Sequence, residues 1–265
     1  MNFSDRFYFT SVGGVQIFKS ENISCPHAFS TRLGGVSTDT PYASLNLSFG
    51  RGDDDSNVHK NLEIFTKIFD SDRAHLVTAS QVHSANVRTV SADDAGKNFE
   101  GVDGFVTNEK GIILSASVAD CTPILLEDRK NGVIAAIHAG WRGTAAAIAA
   151  EGVRKMVGLG ADVKSINAAI GPCIHPCCYE VGEDFLDSVI SLCGKDFATR
   201  HIRKDVNGHL HADIVSMNEE ILLEVGLCIE NISVSKRCTS CESSLFFSHR
   251  ASKGVRGTMK AAIML

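Results

Sequence analysis

The sequence lacks three features that would direct it to a polyanion or a membrane. Lysine and arginine are scattered without a basic run, and the net charge is -5, so no general field attracts nucleic acid. No apolar stretch approaches the roughly 18 residues that span a bilayer, and no basic segment followed by an apolar run opens the chain. We therefore expect a soluble, cytoplasmic protein without nucleic-acid or membrane partners.

A disulfide framework is also not indicated. The nine cysteines are odd in number, and 44% of the 265 residues are hydrophobic, which is enough for a core without covalent staples. We expect reduced thiols. Repeats, low-complexity segments and linker-like runs are missing too, and this predicts a single mixed α/β domain over residues 1–265.

The chain does contain hydrophobic periodicity of both kinds. Its first 50 residues are dense in glycine and turn residues, which predicts a looped, strand-rich start. Short apolar runs at 111–120 and 132–140 predict buried strands. Apolar residues at helical spacing predict helices over 57–69, from Thr144 to about Gly158, from about Glu183, and over 214–226.

Two predicted strands end in side chains that can bind a metal. Cys121 follows the first of them, and His138 ends the next one 17 residues later, so adjacent strand ends should bring both to one rim. With His83, which precedes Cys121 by 38 residues, they form a Cys/His₂ set. Such a set leaves the fourth tetrahedral position open, as a catalytic zinc requires. A buried free cysteine and a satisfied core histidine are the alternative.

Four polar side chains are candidates for substrate binding. In the turn AGWRGT, Arg142 offers a planar guanidinium and Thr144 stands at a predicted helix start whose free N–H groups favour an anion. The two glycines permit close backbone approach, but the lysine of a P-loop is missing. A strand-to-helix turn with a surface arginine is the alternative. Arg32 and Asn46, in the N-terminal turns, either project into a cleft or brace those turns.

Several motifs carry a resemblance that spacing alone does not. In order they are FSTRLGGVS with SLNL, QVHSANV, VDGFVT, ADCTPILL, HAGWRGT, IGPCIHPCCYEVGEDF and FFSHR. From about residue 27 to the C-terminus the chain resembles the YfiH family, also called peptidoglycan editing factor or polyphenol oxidase (laccase-like). The resemblance implies a four-layer α/β/β/α sandwich with zinc held by His83, Cys121 and His138.

The resemblance also implies an activity. Members are described as purine nucleoside phosphorylases that act on adenosine, inosine and methylthioadenosine with phosphate, with an accompanying adenosine deaminase activity. Zinc beside an anion-binding turn suits attack of phosphate on the ribose C1′ as the purine leaves. On this expectation Arg142 holds phosphate, while Arg32 and Asn46 line the nucleoside pocket.

Some residues fit this expectation less directly. Deamination needs a general acid/base, and the H-x-E signature of ordinary zinc deaminases is missing; Asp120 is the nearest carboxylate, but strand alternation directs it away from Cys121. His175 stands where a small residue is expected and His249 where an aromatic is expected. Only the pair in Cys238-x-x-Cys241 has metal-ligand spacing, so we expect reduced structural cysteines at Cys173, Cys177, Cys178, Cys238 and Cys241.

Three other functions are considered. Laccase chemistry needs copper and many histidines, yet only His209 and His211 form an H-x-H pair, so copper is a weaker expectation than zinc. A metal-free cysteine hydrolase would use Cys121 as nucleophile and His138 as base. Hydrolysis of mis-charged muramoyl-amino-acid cell-wall precursors would use the same zinc with water in place of phosphate.

Overall fold

Short apolar segments separated by turns form most of the chain. The computed structural model describes residues 6–265; residues 1–5, which the domain and targeting predictions include, lie outside the described residues. The strands are β1 (Phe7–Val12), β2 (Val15–Ser20), β3 (His27–Ser30), β4 (Leu76–Ser80), β5 (Val87–Thr89), β6 (Asn98–Glu100), β7 (Gly104–Thr107), β8 (Ile113–Val118), β9 (Thr122–Asp128), β10 (Val133–Ala139), β11 (Asn167–Ile170), β12 (Glu180–Val181), β13 (Ile202–Lys204), β14 (Leu210–Ala212), β15 (Ile232–Val234) and β16 (Met259–Met264). The helices are α1 (Asp55–Thr66), α2 (Trp141–Ala145), α3 (Ile148–Gly158), α4 (Glu183–Cys193), α5 (Lys195–His201) and α6 (Ile214–Glu224).

These strands form two large sheets and one small sheet. The seven-stranded sheet has the order β1-β2-β3-β16-β8-β4-β6, and the six-stranded sheet has the order β15-β11-β9-β10-β7-β5. Strands β12, β14 and β13 form the small sheet. Strands β9 and β10 pair antiparallel, with Pro123 opposite His138 and Thr122 opposite Ala139. This register brings Cys121, just before β9, next to the end of β10.

Three apolar cores hold the elements together. One lies between the two large sheets and contains Phe29, Leu114 and Leu125. A second joins the six-stranded sheet to α3 and α6, and the third joins the seven-stranded sheet to α1. The mixed α/β class predicted from the sequence is confirmed.

Most predicted helices form, and one differs. The segment 57–69 is α1 followed by a 3₁₀ turn, and α1 begins where the Asp54 side chain accepts from the Ser56 N–H. The single helix predicted from Thr144 to Gly158 is wrong, because Ala147 adopts a left-handed φ of 56° and separates α2 from α3. Within residues 6–265, none of the helices is both long and apolar enough to cross a membrane.

Candidate functional site

The structure brings His83, Cys121 and His138 together. Cys121 lies in the connection between β8 and β9, His138 lies in β10, and His83 lies in the loop after β4. One ligand atom from each side chain lies within 4.8 Å of the others. The His83 and His138 rings meet edge to face with their centroids 4.9 Å apart. The three residues singled out from the sequence therefore share one small volume.

His83 and the residue before Cys121 adopt strained backbone conformations. His83 has a φ of 61°, and Asp120, directly before Cys121, has a φ of 92°; both lie in the left-handed region that residues other than glycine rarely adopt. Such conformations cost about 1 to 3 kcal/mol and persist only where surrounding contacts enforce them. Here buried carboxylates supply those contacts.

Asp103 organises the site, although sequence reasoning assigned it no role. Its carboxylate accepts from His138 Nδ1 at 2.9 Å, from the backbone N–H of His83 at 3.0 Å, and from Ser84 N–H and hydroxyl at 2.8 and 2.7 Å. The Val82 N–H donates to it as well, at 3.3 Å. One buried carboxylate thus fixes the His83 loop and leaves the His138 Nε2 atom available as a ligand.

Asp120 braces the other ligand. Its carboxylate accepts from the Thr239 hydroxyl at 2.6 Å, from the Ser248 hydroxyl at 3.0 Å and from the backbone N–H of Arg250 at 2.7 Å. Strand alternation predicted that this side chain points away from Cys121, and it does bind the C-terminal segment. With three donors on the carboxylate, Asp120 serves as a brace for the Cys121 turn.

Two glycines allow the His83 loop to approach the end of β10. A β-carbon at Gly140 would overlap His83 Cδ2 and would lie 3.5 Å from Cys121 Sγ. A β-carbon at Gly143 would lie 2.6 Å from the Ser84 carbonyl oxygen. From the sequence, these glycines are expected to let an anion approach the backbone. In the structure their missing side chains make room for the loop that carries His83.

The electrostatics favour a charged thiolate. Burial acts to raise the pKa of Cys121, but the neighbouring His138 and His83 rings outweigh it and lower this pKa to about 6. Burial acts to lower the pKa of His138, but the Cys121 thiolate and Asp103 outweigh it and raise this pKa to about 9. A thiolate is the form of cysteine that binds a metal or attacks an electrophile.

A cleft of about 430 Å³ opens beside these ligands. Beyond His83 and Cys121 its walls include the aromatic and cationic side chains Trp141, Arg142, Tyr179, His249, Arg250 and Arg256. The Arg142 guanidinium carbon lies 4.2 Å from the Trp141 ring centroid. Of the predicted substrate residues, Arg142 is the one that lines this cleft.

Arg32 and Asn46 brace the N-terminal turns. Arg32 donates to the carbonyl oxygens of Ala43, Ser243 and Thr40 at 2.8, 2.9 and 3.2 Å. Asn46 is fully buried and donates to the Asp53 carboxylate at 3.0 Å. These contacts match the alternative in which both side chains brace their turns, and the expectation that they line the nucleoside pocket stays a prediction.

Thr144 also differs from its expected role. It is fully buried, its hydroxyl accepts from Asn218 of α6 at 3.0 Å, and its N–H donates to the Gly140 carbonyl oxygen at 2.8 Å. Its N–H is therefore not free for an anion. The helix begins three residues earlier than the sequence predicted, and Thr144 joins α2 to α6.

Arg256 is a cleft residue that sequence reasoning missed. Its Nε atom is buried and has no hydrogen-bond partner among the described residues. Burial, followed by the charge of nearby Arg51, lowers the pKa of Arg256. Buried polar groups in proteins are nearly always paired, so this donor is suited to a ligand acceptor. An isolated arginine in a glycine-rich tail carries no sequence signal for this position.

The C-terminal cysteines form a second cluster. The sulfur atoms of Cys177, Cys178, Cys238 and Cys241 all lie within 4.8 Å of one another. Cys173 is buried and pairs with Cys238 through a backbone bridge, outside this group of four. None of the nine cysteines forms a disulfide in this structure.

With the fold and the Cys/His₂ site in place, comparison with known proteins defines the class. Residues 26–265 match the family model described as multi-copper polyphenol oxidoreductase laccase, and the chain belongs to this family. A solved structure of hypothetical protein YfiH from Bacillus licheniformis superposes with a TM-score of 0.90 at 30% identity, covering 97% of this chain and 98% of that one. The resemblance to YfiH proteins noted in the sequence is confirmed.

Curated relatives indicate the activities found in this family. The purine nucleoside phosphorylase YlmD of Bacillus subtilis is 36% identical over 244 residues, which cover 89% of this chain and 86% of the relative. An adenosine deaminase from an unknown prokaryotic organism is 34% identical over 245 residues, covering 87% of this chain and 90% of the relative. The chain is thus similar over most of its length to enzymes named for reactions of purine nucleosides.

Proposed function

We propose that the chain is a zinc-dependent purine nucleoside phosphorylase, which cleaves adenosine, inosine and methylthioadenosine with phosphate. The observation that carries this proposal is the meeting of His83, Cys121 and His138 beside a cleft; His83 and Cys121 line this cleft together with arginines and aromatic rings. The relatives named as purine nucleoside phosphorylases support the same reaction class.

The three ligands fit a zinc ion. Tetrahedral zinc with thiolate and imidazole ligands needs donor atoms roughly 3.4 to 3.8 Å apart, and small side-chain rotations bring atoms that lie within 4.8 Å to such distances. Asp103 holds His138 in the orientation that a carboxylate–histidine–metal arrangement uses. Zinc at this position would supply Lewis acidity beside the open face of the cleft.

The cationic side chains suit phosphate. In this proposal Arg142 binds the phosphate dianion. Arg256, from the segment before β16, supplies its buried Nε–H as a second donor. Guanidinium groups bind phosphate through paired hydrogen bonds, which fix both its position and its orientation. Phosphate held between them can be presented to the ribose.

The aromatic side chains suit the purine. Trp141 and Tyr179 line the cleft, and an aromatic face stacks on any purine regardless of its substituents. In phosphorolysis a phosphate oxygen bonds to C1′ while the C1′–N9 bond breaks. The electron pair leaves with the purine, which takes up a proton, and the products are ribose 1-phosphate and the free base.

Adenosine deamination is proposed as an accompanying activity. A relative that is 34% identical carries the name adenosine deaminase, and the same cleft would bind its substrate. Asp120 is not proposed as the general acid/base of this reaction, because three donors already occupy its carboxylate.

A cysteine hydrolase is the second candidate that an observation favours. Cys121, His138 and Asp103 have the order of a nucleophile, a base and an orienting carboxylate. His83 has no role in such a triad. Its backbone N–H nevertheless donates to Asp103, and the missing side chain at Gly140 leaves room for its ring beside Cys121 and His138. The third ligand is why we favour a metal.

The number of histidines favours zinc over copper in this proposal. Among residues 6–265, two groups of three or more metal-competent side chains occur, one Cys/His₂ and one with four cysteines. A multicopper centre draws on many histidines, and His209 and His211 lie apart from both groups. The donor set therefore suits one borderline-soft ion such as zinc better than a copper cluster.

Phosphate dependence tests the proposed function. Zinc-loaded protein is incubated with adenosine or inosine, with phosphate or with sulfate at equal ionic strength, and ribose 1-phosphate, ribose and free base are quantified. Phosphorolysis predicts ribose 1-phosphate only in the phosphate sample. Free ribose in both samples would indicate a hydrolase, and inosine formed from adenosine without base release would indicate deamination alone.

A further inference from the structure

Four cysteines from two distant segments converge behind the cleft. Cys177 and Cys178 follow β11 in a tight turn, while Cys238 and Cys241 form a C-x-x-C pair after β15. The Cys241 sulfur lies 3.5 Å from that of Cys177 and 3.3 Å from that of Cys178. All four sulfurs lie within 4.8 Å of one another, and none of the four side chains belongs to the Cys/His₂ site.

These separations match those of a tetrathiolate metal site. A tetrahedral zinc ion with sulfur ligands at about 2.3 Å requires sulfurs about 3.8 Å apart. The two shortest sulfur contacts named above, at 3.5 and 3.3 Å, are a few tenths of an ångström below that value, and every pair lies within 4.8 Å.

The backbone around Cys238 supports the same conclusion. Cys238 is buried, its backbone pairs with that of Cys173, and the Thr239 N–H donates to the Cys173 carbonyl oxygen at 2.9 Å. The Glu242 N–H donates to the Cys238 carbonyl oxygen at 3.0 Å, which closes the chain into a turn around that thiol. These contacts hold one of the four thiols in a fixed position before an ion binds.

We infer that Cys177, Cys178, Cys238 and Cys241 form a structural zinc site separate from the Cys/His₂ centre. Each thiol gives up its proton as the ion binds, so four Zn–S bonds replace four S–H bonds and no redox partner is needed. Four protein ligands close the coordination sphere, as in structural rather than catalytic zinc sites.

The position of this site gives it a role. Thr239, between two of the cysteines, donates to Asp120, whose neighbour is Cys121. Arg250 donates to the carbonyl oxygens of Cys178 and Glu180 at 2.9 and 2.8 Å, and its N–H donates to Asp120. The tetrathiolate site would therefore fasten the two segments that hold the Cys121 turn and the Tyr179 wall of the cleft.

Metal counting tests this inference without reference to activity. Protein expressed with added zinc under reducing conditions is desalted, and zinc per chain is measured by mass spectrometry. We expect two zinc ions per wild-type chain, and one in Cys121→Ser and in Cys241→Ser. Cys228→Ser is the matched control, because this partly exposed cysteine belongs to neither cluster, and it should retain two.

Zinc-edge X-ray absorption identifies the ligands of the remaining ion. In Cys121→Ser protein the spectrum should show four sulfur neighbours at about 2.3 Å. One zinc per wild-type chain that Cys241→Ser leaves unchanged, a nitrogen-rich shell in Cys121→Ser, or a Cys178–Cys241 disulfide in freshly reduced protein would each overturn the inference. The proposed function can fail independently, since a chain with an intact sulfur shell and no phosphorolysis refutes only the phosphorylase.

Discussion

Replacement of Asp103 by asparagine tests how the candidate site is held together. The buried carboxylate accepts five hydrogen bonds, two on Oδ1 from His83 and His138 and three on Oδ2 from Val82 and Ser84. Asparagine keeps one acceptor oxygen, so in either orientation its NH₂ group faces at least two donors. Each lost bond to a charged group is worth about 1.5 kcal/mol or more, which gives a loss of roughly 3 kcal/mol in the free energy of unfolding.

The same substitution should weaken the metal site. Removing the carboxylate that orients a histidine ligand lowers metal affinity by about 10- to 100-fold in comparable sites. Denaturant unfolding of metal-free protein measures the first effect, and competition with a chromophoric chelator measures the second. Asp72→Asn is the control, because Asp72 is an exposed helix cap that asparagine replaces well.

Two results together would refute the proposed role of Asp103 in holding the site. These are an unfolding free energy within about 0.5 kcal/mol of wild type, which is the range of a neutral surface substitution, together with an unchanged zinc affinity. A loss of stability alone would show that Asp103 supports the loop without orienting the His138 ligand.

Three further predictions follow from the site and its surroundings. Gly140→Ala should displace the His83 ring and lower zinc affinity at the Cys/His₂ site at least 10-fold, measured by chelator competition. Arg142→Ala should retain zinc and raise the KM for phosphate about 10- to 100-fold, as expected for loss of a charged hydrogen bond. Arg32→Ala should instead lower the free energy of unfolding by about 2 kcal/mol, because it removes three hydrogen bonds to carbonyl oxygens, and it should leave the KM for phosphate unchanged. Burial lowers the pKa of Lys260 to about 8. Between pH 8 and 10.5 the unfolded chain therefore binds a proton that the folded chain lacks, so the free energy of unfolding should rise with pH. The Lys260→Met variant should not show this rise.

Matched substitutions serve as controls for these three. Gly158→Ala places its β-carbon in open space, and Arg154→Ala changes an exposed arginine of α3, so both should keep zinc and phosphate affinity. Lys155→Met removes an exposed lysine and should keep the pH dependence. Full zinc affinity in Gly140→Ala, or a raised KM for phosphate in Arg32→Ala at unchanged stability, would contradict the roles assigned here.

The sequence predicts the parts of the site that depend on local pattern. Cys121 and His138 flank one β-hairpin, and strand ends joined by a short connection lie side by side, so their proximity follows from hydrophobic runs alone. The α1 and α6 helices follow from apolar periodicity in the same way.

Other parts depend on contacts that a linear pattern does not contain. Asp103 lies in a glycine-flanked turn, where an aspartate ordinarily caps its own backbone, and its five donors come from other segments. Arg32 and Asn46 occupy a turn-rich segment, and some of the groups that fix their direction lie near the other end of the chain. These are the Ser243 carbonyl oxygen, which accepts from Arg32, and the Thr258 N–H, which donates to Asn46. The cysteine pairs at 177–178 and 238–241 meet only through tertiary packing.

The most direct test of the central claim is to measure zinc content and phosphorolysis in the same preparations of wild type, His83→Ala, Cys121→Ala and His138→Ala. The account predicts that each substitution removes one zinc ion per chain and abolishes phosphate-dependent release of ribose 1-phosphate from inosine. A Cys121→Ala protein that keeps both its full zinc content and its activity would contradict the assignment of the site.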